Sequence, residues 1–297
     1  MRASSLGLLV VTIVSLSQAS VIARWTAAPA EVVGFWRMAL AGLALTYFAW
    51  RRRGELNGPG GRMAVLSGSF FFLHLYTYIF AAQNTQIGNA VLLFAVNPLI
   101  TSAIVHVRQR RIPGPFFVVA YAFAAAGLFV LLHQKLEFGE HLSDGDWAAL
   151  ASAFFFCGYV LTGNESRKTL PTTLYTWLAF ITAGMLFLIS CVIKEREMLG
   201  YTPSTWLAIA CYVIVPTFLG HSLFAYLMTS LPLPLMSWGK LVEPLFAGFS
   251  AFVFFGEAIG IEWFFAFALT AVGAAVLQRV EPTRVGPREV LQRRGTP

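Results

Sequence analysis

Apolar residues run along this chain in stretches of roughly 17 to 25, the length needed to cross a hydrocarbon core, and such stretches recur from one end to the other. Ten of them predict helices over residues 6–25, 32–50, 63–82, 88–107, 115–133, 147–163, 171–193, 204–228, 232–255 and 261–278. Beyond Arg279 the sequence turns rich in Arg, Pro and Gly and reads as a soluble tail. The expected fold is therefore an all-α membrane protein of ten transmembrane helices. Its parts are a first five-helix unit over 1–133, a linker over 134–146, a second unit over 147–278 and a tail over 279–297.

Composition agrees with that pattern. Of 297 residues, 57% are hydrophobic and 12% charged, against about 25% charged in an ordinary soluble domain. The formal net charge of +7 does not point to nucleic acid. No basic surface helix or stacking-aromatic module accompanies it, and the arginines sit in short gaps between apolar runs. Placing the N-terminus in the cytoplasm puts Arg51, Arg52, Arg53, Arg62, Arg108, Arg110, Arg111, Arg167, Lys168 and the Arg-bearing tail on that side, leaving Arg24, Lys135, Lys194 and Arg196 outside. The retention of short basic loops in the cytoplasm predicts an inner-membrane protein with both termini inside. Cys157, Cys191 and Cys211 lie within apolar segments at unpaired spacing, which argues for packing residues and against disulfides or metal. Arg2 followed by an apolar run and Ser17-Gln18-Ala19 has the look of a cleaved signal peptide. The run continues to Trp25, however, and its removal would leave the two units unequal, so it is read as a retained span.

Laying the chain on itself with a shift of 146 residues pairs Pro98-Leu99 with Pro244-Leu245, Gly114 with Gly260 and Gly127 with Gly273. Alanine and leucine matches in apolar helices carry little weight; mid-span prolines and glycines at one shift carry more. Five spans separate the copies, and because five is odd the second copy enters the membrane from the opposite side, as an inverted repeat. A proline within a membrane helix frees a carbonyl that neighbours or cavity water must satisfy. Pro98 and Pro244 thus predict helix breaks at matching positions around a central cavity.

Leu219-Gly220-His221 with Tyr226, then Glu243-Pro244, then Phe254-Phe255-Gly256-Glu257, with Asn97-Pro98 as a weaker first-half counterpart, resemble the EamA-type proteins of the drug/metabolite transporter superfamily. Arg37 looks like the arginine common in that family's second helix. The resemblance runs to about Gln278. It implies a monomer-sized carrier with two five-helix bundles around a central pathway, often exporting amino acids, amines or other metabolites. The substrate is left open, because one fold hosts many specificities. The copies differ in chemistry: Asn97 stands where the second has Glu243, and Arg110-Arg111 where it has Gly256-Glu257.

Lys240 and Glu243 fall near the middle of the ninth span, three residues apart and so on one helix face. Charges at that depth cost roughly 2.5 to 3.5 kcal/mol each unless paired or wet. They read either as a structural ion pair or as a carboxylate and an ammonium that bind substrate or a proton. His74 and His221 occupy nearly equivalent repeat positions and are able to exchange protons near neutral pH, although lone helix histidines are more often packing residues. Tyr78 and Trp238 offer aromatic faces to a cation, and Asn97 offers an amide. For Arg37, near the outer end of its span, the expectation is a side chain snorkelling to the interface. No Gly-rich loop ending in Gly-Lys-Ser/Thr, Ser-His-Asp set or HExxH motif occurs, so neither a nucleotide-driven pump nor a hydrolase is expected, and no cofactor or metal. The leading function is a secondary transporter exporting a small polar metabolite, with the lipid bilayer and that solute as its partners. Uptake of a nutrient or vitamin, and a non-transporting membrane sensor or enzyme, are the alternatives.

Overall fold

The structure is a computed structural model and describes residues 3–56, 58–109, 114–137, 142–228, 231 and 233–280. Every regular element among them is helical: α1 (Ala3–Ser17), α2 (Ala19–Trp25), α3 (Ala30–Trp50), α4 (Pro59–Asn84), α5 (Ile87–Phe94), α6 (Asn97–Gln109), α7 (Pro115–Glu137), α8 (Asp144–Ser166), α9 (Thr172–Ile193), α10 (Pro203–Tyr212), a π-helical segment (Val213–Ser222), α11 (Leu223–Leu227), α12 (Leu233–Phe255) and α13 (Ile261–Val280), with a 3₁₀ turn at Arg53–Leu56. Six stretches are long and apolar enough to cross a membrane: Ser5–Trp25, Ala30–Trp50, Pro59–Asn84, Asp144–Ser166, Thr172–Ile193 and Pro203–Leu227. Four shorter apolar segments, Ile87–Thr101, Pro115–Gly127, Val242–Phe255 and Ile261–Gly273, fall on the other four predicted spans. The chain is a multi-pass membrane protein. Leu43, Phe249, Phe254 and Ile193 are more than 60% exposed, an apolar surface suited to contact with lipid.

The helices pair in a regular scheme. α4 lies along α8, α3 along α9 and α7 along α13, while α4 also meets α9, and α1 meets both the π-helical segment and α12. Small residues permit these approaches. A Cβ on Gly68 would stand 2.8 Å from the Ala179 carbonyl oxygen, and one on Gly127 would stand 2.8 Å from that of Ala266, the close backbone contact that glycine allows in membranes. Polar stitches cross the same seams. The Ser67 hydroxyl bridges the Tyr159 carbonyl at 3.0 Å and the Tyr175 hydroxyl at 2.9 Å, and Phe71 stacks on Tyr159 at 4.5 Å.

Three departures from the predicted spans have local causes. α8 begins before the apolar run at Trp147, because Ser143 and Asp146 close a capping box, with the Asp146 N–H donating to Ser143 Oγ and the Ser143 N–H donating to the Asp146 carboxylate. The eighth span holds Pro216 and is not a uniform α-helix: ten residues widen to i→i+5 geometry, which accommodates a proline without ending the helix. The matched breaks expected at Pro98 and Pro244 occur at only one of the two. The fourth span divides into α5 and α6 at Ala95-Val96, whereas Pro244 lies inside a continuous α12. Pro98 occupies the first turn of α6, where a missing N–H would be unpaired in any case.

Candidate functional site

The polar groups within the spans converge on one narrow cavity, lined by Leu16, Ala19, Arg37, His74, Leu75, Tyr78, Phe94, His221 and Glu243. It has room for about one water molecule. Seven helical elements contribute: α1 through α5, the π-helical segment and α12. Five of the nine lining residues, Arg37, His74, Tyr78, His221 and Glu243, carry titratable groups, and ionisable side chains within membrane spans mark functional sites.

Arg37 is where the sequence-based expectation is corrected. It does not snorkel to an interface. It is 0% exposed, on the face of α3 that also buries Val33, Met38 and Ala41. The reason is a partner that sequence order hides: Arg37 Nε donates to Thr217 Oγ1 at 2.7 Å, 180 residues away, and the guanidinium lies 4.1 Å from the centre of the Tyr212 ring. The Thr217 hydroxyl in turn donates to the Tyr212 carbonyl at 2.9 Å, five residues back, so the π-helical turn built around Pro216 aims it. Both terminal nitrogens of Arg37 are buried with no hydrogen-bond partner among the described residues. One charged hydrogen bond contributes about 1.5–3 kcal/mol and a desolvated ring contact about 2 kcal/mol. The four remaining N–H groups, unpaired, cost about 1–3 kcal/mol each. The described residues therefore leave this cation under-compensated.

Of the residues singled out from sequence, four line the cavity. Glu243 is buried at 3% exposure. His74 sets Nδ1 2.8 Å from Ser152 Oγ and packs against Phe94 and Phe156. The His221 ring lies edge-on to Phe71 at 4.8 Å and 6.1 Å from the His74 ring. Tyr78 is buried between His74 and Phe94. Lys240 and Trp238 belong to α12, but their side chains lie outside the described residues, as does that of Pro98. Pro244 is buried and is not among the described lining residues.

Asn97 has another occupation. Its side-chain amide donates to the Phe94 carbonyl at 2.9 Å, a carbonyl four residues before Pro98 and therefore one that the proline deprives of its helical donor. Asn97 is committed to repairing the helix break and is not among the described residues lining the cavity. At the equivalent position a carboxylate, which only accepts hydrogen bonds when ionised, is unsuited to that repair, and Glu243 faces the cavity instead.

A second polar cluster ties one end of the bundle together. Arg24 donates to the carbonyls of Ala82 and Thr85 and pairs with Glu257 at 3.0 Å, while the other Glu257 oxygen accepts from the Ile87 N–H at 2.8 Å. Gly256, with φ +66°, makes the left-handed turn after α12 that presents Glu257. Close by in sequence terms, Glu31 at the start of α3 pairs with Lys194 at 2.6 Å and Arg196 at 3.7 Å. Hydrogen bonds to Glu31 and then Tyr76 hold the Lys194 ammonium above its ordinary value of 10.5, so this clamp stays charged near neutrality. Among the described residues no group of three His, Cys, Asp or Glu side chains forms a metal centre.

A polytopic helical bundle that converges charged and aromatic groups on a cavity inside the membrane is the architecture of a solute carrier. The sequence matches the EamA-like transporter family over residues 3–133 and again over 143–279. The chain belongs to that family, within the drug/metabolite transporter superfamily. It is 25% identical over 271 residues to an uncharacterized transporter of Archaeoglobus fulgidus, covering 91% of this chain and 95% of that one. It is also 25% identical to the S-adenosylmethionine/S-adenosylhomocysteine transporter of Chlamydia trachomatis serovar L2, over 86% of this chain and 82% of the relative. A crystal structure with 20% identity superposes with a TM-score of 0.67 over 95% of this chain and 100% of the other, a likeness of fold.

Proposed function

We propose that this transporter is a ten-helix secondary carrier, built of two inverted five-helix repeats, that exports a small amino-acid-like, amine or amino-acid-derived metabolite across the bacterial inner membrane by alternating access. Both termini are cytoplasmic in this reading. The observation that carries it is the cavity, which sets a guanidinium, a carboxylate and two imidazoles at the meeting point of helices from both halves. Opposite charges in one small chamber suit a solute that bears both.

The packing scheme supports the inverted repeat. Exchanging each span for its counterpart turns the α4–α8 contact into that of α1 with the π-helical segment, and α5–α8 into α1–α12. The α4–α9 contact becomes that of α3 with the π-helical segment, and α3–α9 and α7–α13 map onto themselves. Contacts exchanged in this way are what a two-fold relation between halves produces. The S-adenosylmethionine/S-adenosylhomocysteine transporter among its relatives favours an amino-acid-derived solute, and the absence of a nucleotide-binding loop leaves ion or solute gradients as the energy source.

Counterflow in proteoliposomes, run against amino acids, amines, amino-acid-derived metallophores, S-adenosylmethionine and S-adenosylhomocysteine, tests the reading. Exchange of at least one of these by the wild type is expected, falling sharply in Glu243→Gln. A wild type inert to the whole panel sinks it. Accumulation by everted vesicles marks export; accumulation only by right-side-out vesicles replaces export with uptake.

A further inference from the structure

We infer that the π-helical segment Val213–Ser222 is the part of the eighth span that changes form during transport, and that the Arg37–Thr217 hydrogen bond is its latch. Release of the latch lets the segment tighten to an α-helix, which carries His221 around the helix axis and out of its place on the cavity wall. The inference rests on the alternating-access reading and names a moving element for it.

The threonines of the spans supply the first support. Thr12, Thr46, Thr77, Thr101, Thr162 and Thr182 each donate their hydroxyl to the carbonyl four residues back, the reach of a threonine in an α-helix. Thr217 donates instead to the Tyr212 carbonyl, five residues back, at 2.9 Å. Its bond therefore belongs to the π form, and the same oxygen accepts from Arg37 Nε at 2.7 Å. The guanidinium also lies 4.1 Å from the centre of the Tyr212 ring. One fully buried side chain of α3 thus grips both ends of the widened turn. In an α-helix the Thr217 hydroxyl turns to Val213, four residues back, and leaves that grip.

The second support is the state of the segment. The π form is rare, occurs mostly as single turns and concentrates at functional sites, whereas here it runs for ten residues. Tyr212, just before it, and Ser222, at its end, bury their hydroxyls without a hydrogen-bond partner among the described residues. Backbone held in a sparsely populated form by its surroundings is a mark of switch regions. Loss of the extra residue of a π turn rotates the chain beyond it by one residue, about 100°, and Leu219 then takes the place of Gly220. In the π form Gly220 faces Leu16 of α1, where an added Cβ would stand 2.7 Å from the Leu16 side chain, and Leu219 is 42% exposed.

Mercury(II) cross-linking of the full-length protein in nanodiscs reads this rotation, with Cys157, Cys191 and Cys211 changed to Ala. Leu16→Cys is combined in turn with Gly220→Cys, Leu219→Cys and Phe218→Cys. With Arg37 and Thr217 in place, the Gly220 pair is expected to form at least tenfold faster than the Leu219 pair. Thr217→Val and Arg37→Gln are each expected to bring that ratio below threefold, and Thr217→Ser, which keeps the hydroxyl, to retain it. The Phe218 pair is expected to stay slow throughout, because a one-residue rotation does not bring it round, whereas general loosening speeds both. If Arg37→Gln does not fold, Thr217→Val decides. Closing the Gly220 pair is expected to lower counterflow of any panel solute at least tenfold, reversed by dithiothreitol. Equal rates for the Gly220 and Leu219 pairs with the latch intact, an unchanged ratio in a folded Thr217→Val, or full counterflow with the Gly220 pair closed overturns the switch and leaves the transport reading standing. The shifted ratio in a protein inert to the whole solute panel keeps the latch and sinks the transport reading.

Discussion

Asn97 and Glu243 occupy equivalent places, each directly before a proline, and the structure gives them different tasks. Pro98 frees the Phe94 carbonyl, and the Asn97 amide takes it up at 2.9 Å. The pairing expects Asn97→Ala to lower stability by about 1–3 kcal/mol, the cost of a buried acceptor left unsatisfied, with ligand affinity changed less than twofold. Thermal unfolding with and without ligand checks both halves; an affinity loss at unchanged stability would return Asn97 to the binding site. Glu243 has the opposite expectation: Glu243→Gln keeps the shape, removes the negative charge, and is expected to reduce counterflow at least tenfold with unfolding unchanged within about 1 kcal/mol. The sequence spacing of Lys240 and Glu243 suggested a partner on the same helix face, whereas the burial of Glu243 beside Arg37, His74 and His221 came from four separate elements.

Between elements, backbone proximity sets what the sequence tolerates. A side chain at Gly68 would meet backbone of α9, the Ala179 carbonyl oxygen at 2.8 Å and Cα at 3.0 Å, while a Cβ at Gly7 would meet nothing within 4 Å. Gly68→Val is therefore expected to destabilise by about 1–3 kcal/mol through overpacking, and Gly7→Ala to leave the melting temperature unchanged; unfolding of the two variants in detergent decides it. The Arg24–Glu257 pair joins α2, the α4–α5 turn and the end of α12. Removing Glu257 takes acceptors from both Arg24 and the Ile87 N–H. Glu257→Ala is expected to speed labelling of a cysteine introduced at Gly88 at least several-fold, because the helix ends that the pair draws together separate; unchanged labelling would make the pair incidental to closure.

Across the whole molecule, the cations at the helix ends differ in the partners they meet. At one end Arg24, Lys194 and Arg196 are each engaged by a carboxylate, Glu257 or Glu31. At the other, Arg51 and Arg53 lie over the rings of Tyr47 and Trp50 and keep their charge available to an anionic leaflet. Arg52 between them pairs with Glu55 at 2.7 Å, and the density of basic residues in this short loop is what leads to the expectation that it is cytoplasmic. Alkaline phosphatase is expected to be active when fused after Gly200 and inactive after Gly54, both exposed; the reverse result inverts the topology. Gly145 is unsuited to such a fusion, because it is buried in the first turn of α8 against Asn84.

The sequence by itself determined the solvent and the sites of the helices. Long apolar runs have one stable environment, and within it a backbone must bond to itself, so spans are legible from composition alone. It also marked His74, His221, Tyr78 and Glu243, since polar groups in such runs need a reason. It did not determine what those groups meet. Thr217 was unremarkable in sequence and Arg37 looked peripheral, because their meaning lies in a contact across 180 residues and in a π-helical turn that no hydrophobic pattern encodes. Two helix-breaking prolines looked equivalent, and the surroundings gave one a break repaired by Asn97 and the other a continuous helix. Periodicity records which face of a helix avoids water; only packing decides which polar atoms are paired and which are left for a ligand.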